Sequence, residues 1–299
     1  MFRVKMNRFI SQYKYGTIFF MPFIILFLVF TVIPVFTAFY MSFTNFDLLQ
    51  TPRFIGLENY KLLFMDDEVF QIAIKNTLVL AIVTGPIGYF GSFFMAWGIN
   101  RLKFRNFFSL CFYAPSITSG IAMSVVWLYF FSPDRYGLVN NLLISTGLTN
   151  SPILWNSDSN TILPIIMLIQ IWMSMGTGFL VFLAGLQNTD PQIYEAGRID
   201  GIRSDFQELY LLTLPQMKPQ LLFGAINACV GAFSIFDIAV GFAGMPSPNY
   251  AGHTLVSHLY DYAFLRFEMG YSSAIAVVLF LIVFVLGQGL MKLLSSKND

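Results

Sequence analysis

The chain has 299 residues, 56% of them hydrophobic and 17% aromatic but only 11% charged, with a formal net charge of +1. A soluble domain carries roughly 25% charged residues to face water, so this composition excludes an ordinary cytosolic enzyme, a disordered chain and a nucleic-acid binder with a basic face. Cys111 and Cys229 sit in apolar runs without disulfide or metal-ligand spacing, and the chain reads as an integral membrane protein with no nucleic-acid partner.

In chain order, a basic segment (1–16) precedes six apolar stretches near 17–43, 72–99, 106–131, 161–186, 220–243 and 271–294, with a short tail at 295–299. Each stretch reaches the roughly 20 residues a helix needs to cross hydrocarbon with its backbone groups satisfied internally. The predicted fold class is all-α and integral to the lipid bilayer, with six transmembrane helices. Runs this long exclude the short alternating strands of a membrane barrel, and the first is too long for the apolar region of a cleavable signal. Pro34, Pro86, Pro115 and Pro164 lie within or at the ends of spans and predict kinks. The connections 44–71, 132–160 and 244–270 are long, whereas Asn100–Arg105 is a tight basic turn. Trp127, Tyr129 and Trp155 suit interfacial anchoring. His253 and His258 lie five apart in a connecting loop without a third ligand, and no metal site is expected.

If successive connections alternate sides, one side holds Arg3, Lys5, Arg8, Lys14, Arg101, Lys103, Arg105, Arg198, Arg203, Lys218, Lys292 and Lys297. The other holds only Arg53, Lys61, Lys75, Arg135 and Arg266. The positive-inside rule then puts both termini and the 187–219 loop in the cytoplasm.

The 187–219 loop has its own local logic. Asp190-Pro191 predicts a helix start, with the Asp side chain capping free N–H groups and Pro at the first helical position. That helix runs to Gly201, a residue able to take the left-handed turn that ends a helix. Ser204 and Gln207 make a capping box for a second short helix, which leads to Pro215, Pro219 and the fifth span. By local pattern alone, this is an amphipathic connector or a partner-docking surface built on the small residues Ala196 and Gly197.

The segment Glu195-Ala196-Gly197-x-x-Asp200-Gly201, followed by Thr213-Leu214-Pro215, resembles the EAA loop of bacterial ABC importer permeases. The chain around it is similar to their carbohydrate branch, the maltose and glycerol-3-phosphate type. The likeness runs through Ile55–Tyr60, Gly137–Asn140, Leu183–Gln187, Phe236-Asp237 and Gly270–Ala274, and covers the chain from about residue 17 to its end. It departs at Gly197 and Ile202, where Ala is usual, at the Gly201–Pro215 spacing, one residue longer, and at Ala243–Pro248, where the family has a Gly-rich stretch. The resemblance implies a type I permease of the bacterial cytoplasmic membrane forming half of a sugar pathway. It further implies a second homologous permease as heterodimer partner, two ATP-binding subunits and an extracytoplasmic sugar-binding protein. Tyr194, Glu195, Ala196, Gly197, Asp200, Gly201 and Pro215 would form the ATPase-coupling surface. The chain contains no Gly followed by Lys and hence no phosphate-binding loop of the P-loop type. It is expected to bind no cofactor, to be no enzyme, and to leave ATP and Mg to the partner ATPase.

Polar residues inside spans are costly and mark sites. Gln170, Trp172, Ser174 and Thr177 lie in the fourth span, and Asn227, Ser234 and Asp237 in the fifth. Sugars are held by hydrogen bonds to planar polar groups and by an aromatic face against ring C–H groups, chemistry that Gln170, Trp172 and Asn227 offer. The resemblance places permeation-site residues at Gln170, Trp172, Met173, Thr177, Asn227 and Ser234. Asp237, the single acid deep in an apolar run, is a candidate substrate contact or a structural charge. The rival readings are an ion-gradient-driven secondary transporter, for which only Asp237 qualifies as embedded carboxylate, and an intramembrane enzyme, for which no catalytic set lies at one depth.

Overall fold

The computed structural model describes residues 14–295, so the expectations for 1–13 and 296–299 lie outside the described residues. Helix α1 (Lys14–Phe27) passes through a π-helical turn at Leu28–Val32 into α2 (Ile33–Met41), with Pro34 just after the turn. A two-residue antiparallel pair, β1 (Thr44–Asn45) with β2 (Arg53–Phe54), and a short helix α3 (Glu58–Lys61) lead to the long α4 (Glu68–Asn100). Then come α5 (Arg105–Ile117), α6 (Gly120–Phe130) and α7 (Leu138–Ser145), followed by the long α8 (Ser159–Gln187). The loop after it carries α9 (Pro191–Ile199) and α10 (Asp205–Glu208), the latter continuing through a π-helical turn into α11 (Leu214–Gln216). The chain ends with α12 (Lys218–Phe233), α13 (Asp237–Ala243), α14 (Leu255–Tyr260) and α15 (Met269–Ser295). Among the described residues, five stretches are long and apolar enough to cross a bilayer, and the bent α5–α6 pair makes a sixth if it counts as one span.

Two of the expected spans carry breaks in their helices. The third, 106–131, is broken at Thr118–Ser119, whose extended backbone bends α5 against α6 by 98°. Gly120 makes the bend possible, because a Cβ there would lie 2.6 Å from the Asp237 Cβ. The fifth, 220–243, is broken between α12 and α13. Broken helices free backbone groups that hydrocarbon cannot satisfy; here the Thr254 hydroxyl donates to the Ile235 carbonyl at 2.9 Å. Pro86 and Pro164 sit inside helices that run on through them.

The residues 100–105 and 187–219 share one end of the bundle, hereafter the basic end; the connections 44–67, 131–158 and 244–268 share the far end. Helices α4 and α8 pack along each other through the middle, and α12 lies against both. Phe93, Phe179, Phe182, Leu186 and Met217 form a buried cluster toward the basic end, and Ile162, Ile166, Ile169, Ile238 and Phe242 one toward the far end.

Amide side chains close the far end. Asn59 donates to the carbonyls of Ser42 and Thr44, each at 2.9 Å. Asn140 donates to the carbonyls of Ser132, Asp134 and Ile153 while its oxygen accepts from Ile153 N and Trp155 Nε1. Asn76, on α4, donates to the carbonyls of Tyr250, Ala251 and His253. Trp155 and Trp127 therefore belong to the packed far-end cluster, not to an exposed anchoring belt: Trp127 stacks on Phe131 at 5.7 Å. His253 and His258 are likewise buried, not free in a loop. They share a hydrogen bond of 3.3 Å, and His258 Nε2 donates to Asp67 at 2.9 Å.

Candidate functional site

At the basic end, Asp190 caps α9 by accepting from Gln192 N, and Pro191 takes the first helical position. Gly201, at φ +94°, ends it, with open space where a Cβ would stand. Gln207 closes the capping box on Ser204. Gly197 is buried against Leu212 and Ile202, so close that a Cβ would sit 2.7 Å from Leu212 Cδ1. This explains Gly where Ala is usual: the neighbouring helix lies on it. The Tyr194 hydroxyl meets Thr213 Oγ1 at 3.1 Å and ties α9 to the second helix. Glu195, Ala196, Asp200, Gly201 and Pro215 are exposed. So are Ile199, at 88%, Phe206 and Tyr210, apolar groups left largely uncovered by the described residues.

Sequence reasoning counted Arg101 only as a loop charge. The structure aims its guanidinium at Asp205 and Glu208, the latter at 3.2 Å, and lays it over the Trp97 ring at 4.5 Å. Trp97 in turn packs on Phe206 at 5.7 Å. The last turn of α4 thus grips the second helix of the loop. The signal was present in the spacing of Trp97 and Arg101 on one helix face, but their partners lie over 100 residues away.

Midway along the bundle, α4, α8 and α12 enclose a cavity of about 160 Å³. Of the residues expected to touch substrate, Gln170, Thr177 and Asn227 line it. Neither the Gln170 nor the Asn227 amide has a hydrogen-bond partner among the described residues. Trp172, Met173, Ser234 and Asp237 are not in its wall. Trp172 stands edge-on to Trp127 at 5.4 Å, and Met173 packs into the far-end cluster with its carbonyl accepting from Ser116. Ser234 bonds back to the Val230 carbonyl, and Asp237 opens α13 against Gly120. The sequence missed the α4 wall: Thr84, Gly85, Gly88, Tyr89 and Ser92. Their spacing, small or polar at every third or fourth position, was the available signal. Thr84 is 2% exposed and its hydroxyl is unpaired.

Outside the spans, charge is controlled by burial and pairing. Burial pushes Asp67 up, but hydrogen bonds from His258, Tyr271 and Phe70 N outweigh it and hold the carboxyl well below its usual range. Burial, with the His258 ring beside it, lowers His253 to about 4.

Comparison with known proteins completes the description. A family model described as "Binding-protein-dependent transport system inner membrane component" matches residues 88–298. The chain is 34% identical over 287 residues to a probable ABC transporter permease protein, YesP, of Bacillus subtilis (strain 168), covering 95% of this chain and 90% of that one. It is 33% identical over 279 residues to the arabinooligosaccharides transport system permease protein AraP of the same organism, covering 92% and 87%. In fold it is similar to a chain of a bacterial ABC transporter involved in import of the acidic polysaccharide alginate, with TM-score 0.82, 21% identity and coverage of 99% and 100%.

Proposed function

The chain belongs to the binding-protein-dependent transport system inner membrane components, as a permease of the ABC importer type, and from that premise we propose that it carries a neutral sugar or oligosaccharide through the α4–α8–α12 cavity. The observation that carries the reading is the pair of unpartnered amides, Gln170 and Asn227, facing one cavity in the middle of spans. A free amide facing lipid is costly; facing a hydrated path, it offers donors and acceptors to sugar hydroxyls. The wall contains no ionisable acid or base except the Tyr89 phenol, which favours a neutral saccharide. Relatives named for arabinooligosaccharide, lactose and multiple-sugar transport support the same class.

The basic end faces the cytoplasm in this reading, as its lysines and arginines favour, with both termini on that side. The surface made by half-buried Tyr194, exposed Glu195, Ala196 and Gly201 and the apolar Ile199 and Phe206 seats on an ATP-binding subunit, which holds ATP and Mg. A second, homologous permease completes the pathway, and a second ATP-binding subunit pairs with the first. An extracytoplasmic binding protein delivers substrate to the far end, a role supported by the fold's occurrence in an alginate transporter crystallised with its periplasmic protein. ATP-driven closure of the ATPase pair would move α9 and, through Arg101, α4, alternating access to the cavity.

The test is uptake by proteoliposomes holding the full complex, with labelled arabino-oligosaccharides and lactose outside. Uptake is expected to need internal ATP and external binding protein. Uptake driven by an imposed proton gradient without ATP would overturn the reading.

A further inference from the structure

The breaks in the third and fifth spans meet at one acid. Asp237, the first residue of α13, lies against Gly120, the first of α6, where a Cβ on the glycine would stand 2.9 Å from the aspartate Oδ2. One helical turn further along each helix, Gly241 lies against Ser124, where a Cβ on the glycine would meet the serine hydroxyl. The two helices thus pack closely and in register, and α6 holds the Asp237 side chain in a fixed place. That place lies inside the membrane. Ile235 and Ile238, which flank the acid, pack with Ile165, Ile166 and Ile169 of α8, roughly 9–15 Å from the far end of that helix at 1.5 Å per residue. A helix of 29 residues, centred on a bilayer, extends about 7 Å beyond the hydrocarbon core at each end, so the acid sits below that boundary.

Other polar side chains at the breaks are satisfied within their own helices. The Thr118 hydroxyl donates to the Ala114 carbonyl at 3.1 Å, and the Ser234 hydroxyl to the Val230 carbonyl at 2.8 Å. Asp237 is different: it is exposed, and among the described residues neither an ion pair nor a hydrogen bond reaches its carboxylate. Nor does it line the α4–α8–α12 cavity. On α5 and α6, Ile117, Ile121 and Val125 are exposed as well. Those apolar side chains can face lipid without cost, but a carboxylate cannot. What covers this face is therefore protein, and it carries the countercharge.

We propose that Asp237 is the polar anchor of the contact with the second permease, its carboxylate paired with a lysine or arginine side chain of that subunit. The anchor rests on the reading above, in which a second permease completes the pathway. A charge taken out of water is tolerated when it is paired and hydrogen-bonded, and lipid tails offer neither. The ATP-binding subunits and the binding protein stand at the two ends of the bundle in that reading, so the second permease is the partner that reaches this depth. Because Gly120 and α6 fix where the acid stands, the partner's cation meets it in one geometry. A buried polar pair of this kind sets the register of two subunits, as a single polar residue does within a coiled coil.

The experiment purifies the wild-type complex and its Asp237→Leu and Asp237→Asn variants through a tag on this chain, and measures the second permease recovered per tagged chain. Leucine keeps the volume but leaves the partner's cation buried and unpaired, and is expected to lower recovery about tenfold. Asparagine still accepts hydrogen bonds and should lower it about two- to threefold. A second measurement keeps Asp237 in place: Ser119→Cys, in a chain with Cys111→Ser and Cys229→Ser, carries a benzophenone maleimide and is photolysed in proteoliposomes holding the complex. Adducts are expected on the second permease. Full recovery with the leucine variant overturns the anchor, as do adducts on lipid alone. Rapid reaction of the Ser119→Cys thiol with a membrane-impermeant methanethiosulfonate in the assembled complex overturns it too, because the acid would then face water. A wild-type chain that brings down no second permease overturns the two-permease reading itself, and the anchor with it.

Discussion

The far end and the 187–219 loop are both connecting regions, yet they handle their polar and apolar groups in opposite ways. At the far end Asn59, Asn76 and Asn140 are 8% exposed or less, and each amide nitrogen is spent on two or three backbone carbonyls of other segments. In the loop, Ile199 is 88% and Phe206 68% exposed, and Glu195 stands in solvent. The first region is closed on itself; the second is left open. A helix pair with apolar side chains displayed to water is complete only when something covers them, whereas buried amides saturated by the chain's own carbonyls need no partner.

The largest effect should come from opening the closed region. Asn140→Ala strips five hydrogen bonds around one buried side chain and orphans Trp155 Nε1 with three carbonyls. It should cost about 3–5 kcal/mol, read as lost yield of folded permease or a fall in melting temperature in detergent, with the loop's partner binding lost only as a consequence. Full stability in this variant would mean that the far end is not self-supporting and that the contrast is false.

Acid should open the same region reversibly. His253 stays neutral down to about 4 in the folded protein, whereas in the unfolded chain it takes up a proton near its ordinary value of about 6.5. The unfolded state therefore binds more protons in between, so stability falls as pH drops from about 7 to 4, by ~2–3 kcal/mol. Asp67, held low by His258 and Tyr271, adds its own loss below the usual carboxylate range. Melting curves across that window should slope in the wild type and flatten above pH 4 in His253→Gln. A slope unchanged in His253→Gln would remove His253 as the cause.

How much of this contrast was legible beforehand depended on sequence separation. Asp190-Pro191, Gly201 and the Ser204–Gln207 box could be read from the chain because each acts within four residues, and the structure has all three caps. The long apolar runs were equally plain. The breaks at Thr118–Ser119 and Ser234–Phe236 were not, because hydropathy runs straight through them; they exist because Gly120 admits Asp237 and Thr254 supplies a hydroxyl from another segment. Among the polar span residues, Gln170, Thr177 and Asn227 line the cavity while Trp172 stands against Trp127 outside its wall, and the α4 wall of Thr84, Gly85, Gly88, Tyr89 and Ser92 went unread because its small and hydroxyl residues blend into an apolar run.

The open region should respond to changes that leave the bundle intact. Gly201→Val forces a β-branched residue into a left-handed conformation, at a local cost of about 1–2 kcal/mol, with no atom in its way. It should redirect α10 relative to α9, cutting ATP-driven uptake about tenfold while the melting temperature of the bundle barely moves. Uptake and ATPase association at wild-type levels would show that the turn does not set the docking surface.

The finest test addresses the grip between the two regions' shared scaffold and the loop. Arg101 meets two carboxylates and one indole face, but its side chain is 33% and Asp205's 70% exposed, so solvent screening keeps the ion pairs to about 0.5–1 kcal/mol. Arg101→Ala should therefore assemble normally and alter coupling two- to fivefold, seen as ATP hydrolysed per sugar carried. Arg101→Lys separates the contributions. It keeps the charge but loses the fork that reaches Asp205 and Glu208 together and the flat stack on Trp97. If Lys behaves as Ala does, geometry transmits motion from the loop to α4; if Lys restores coupling, charge alone suffices. Should neither variant change the ratio, the loop moves independently of α4, and the path from the ATPase to the cavity runs instead through Tyr194 and α12.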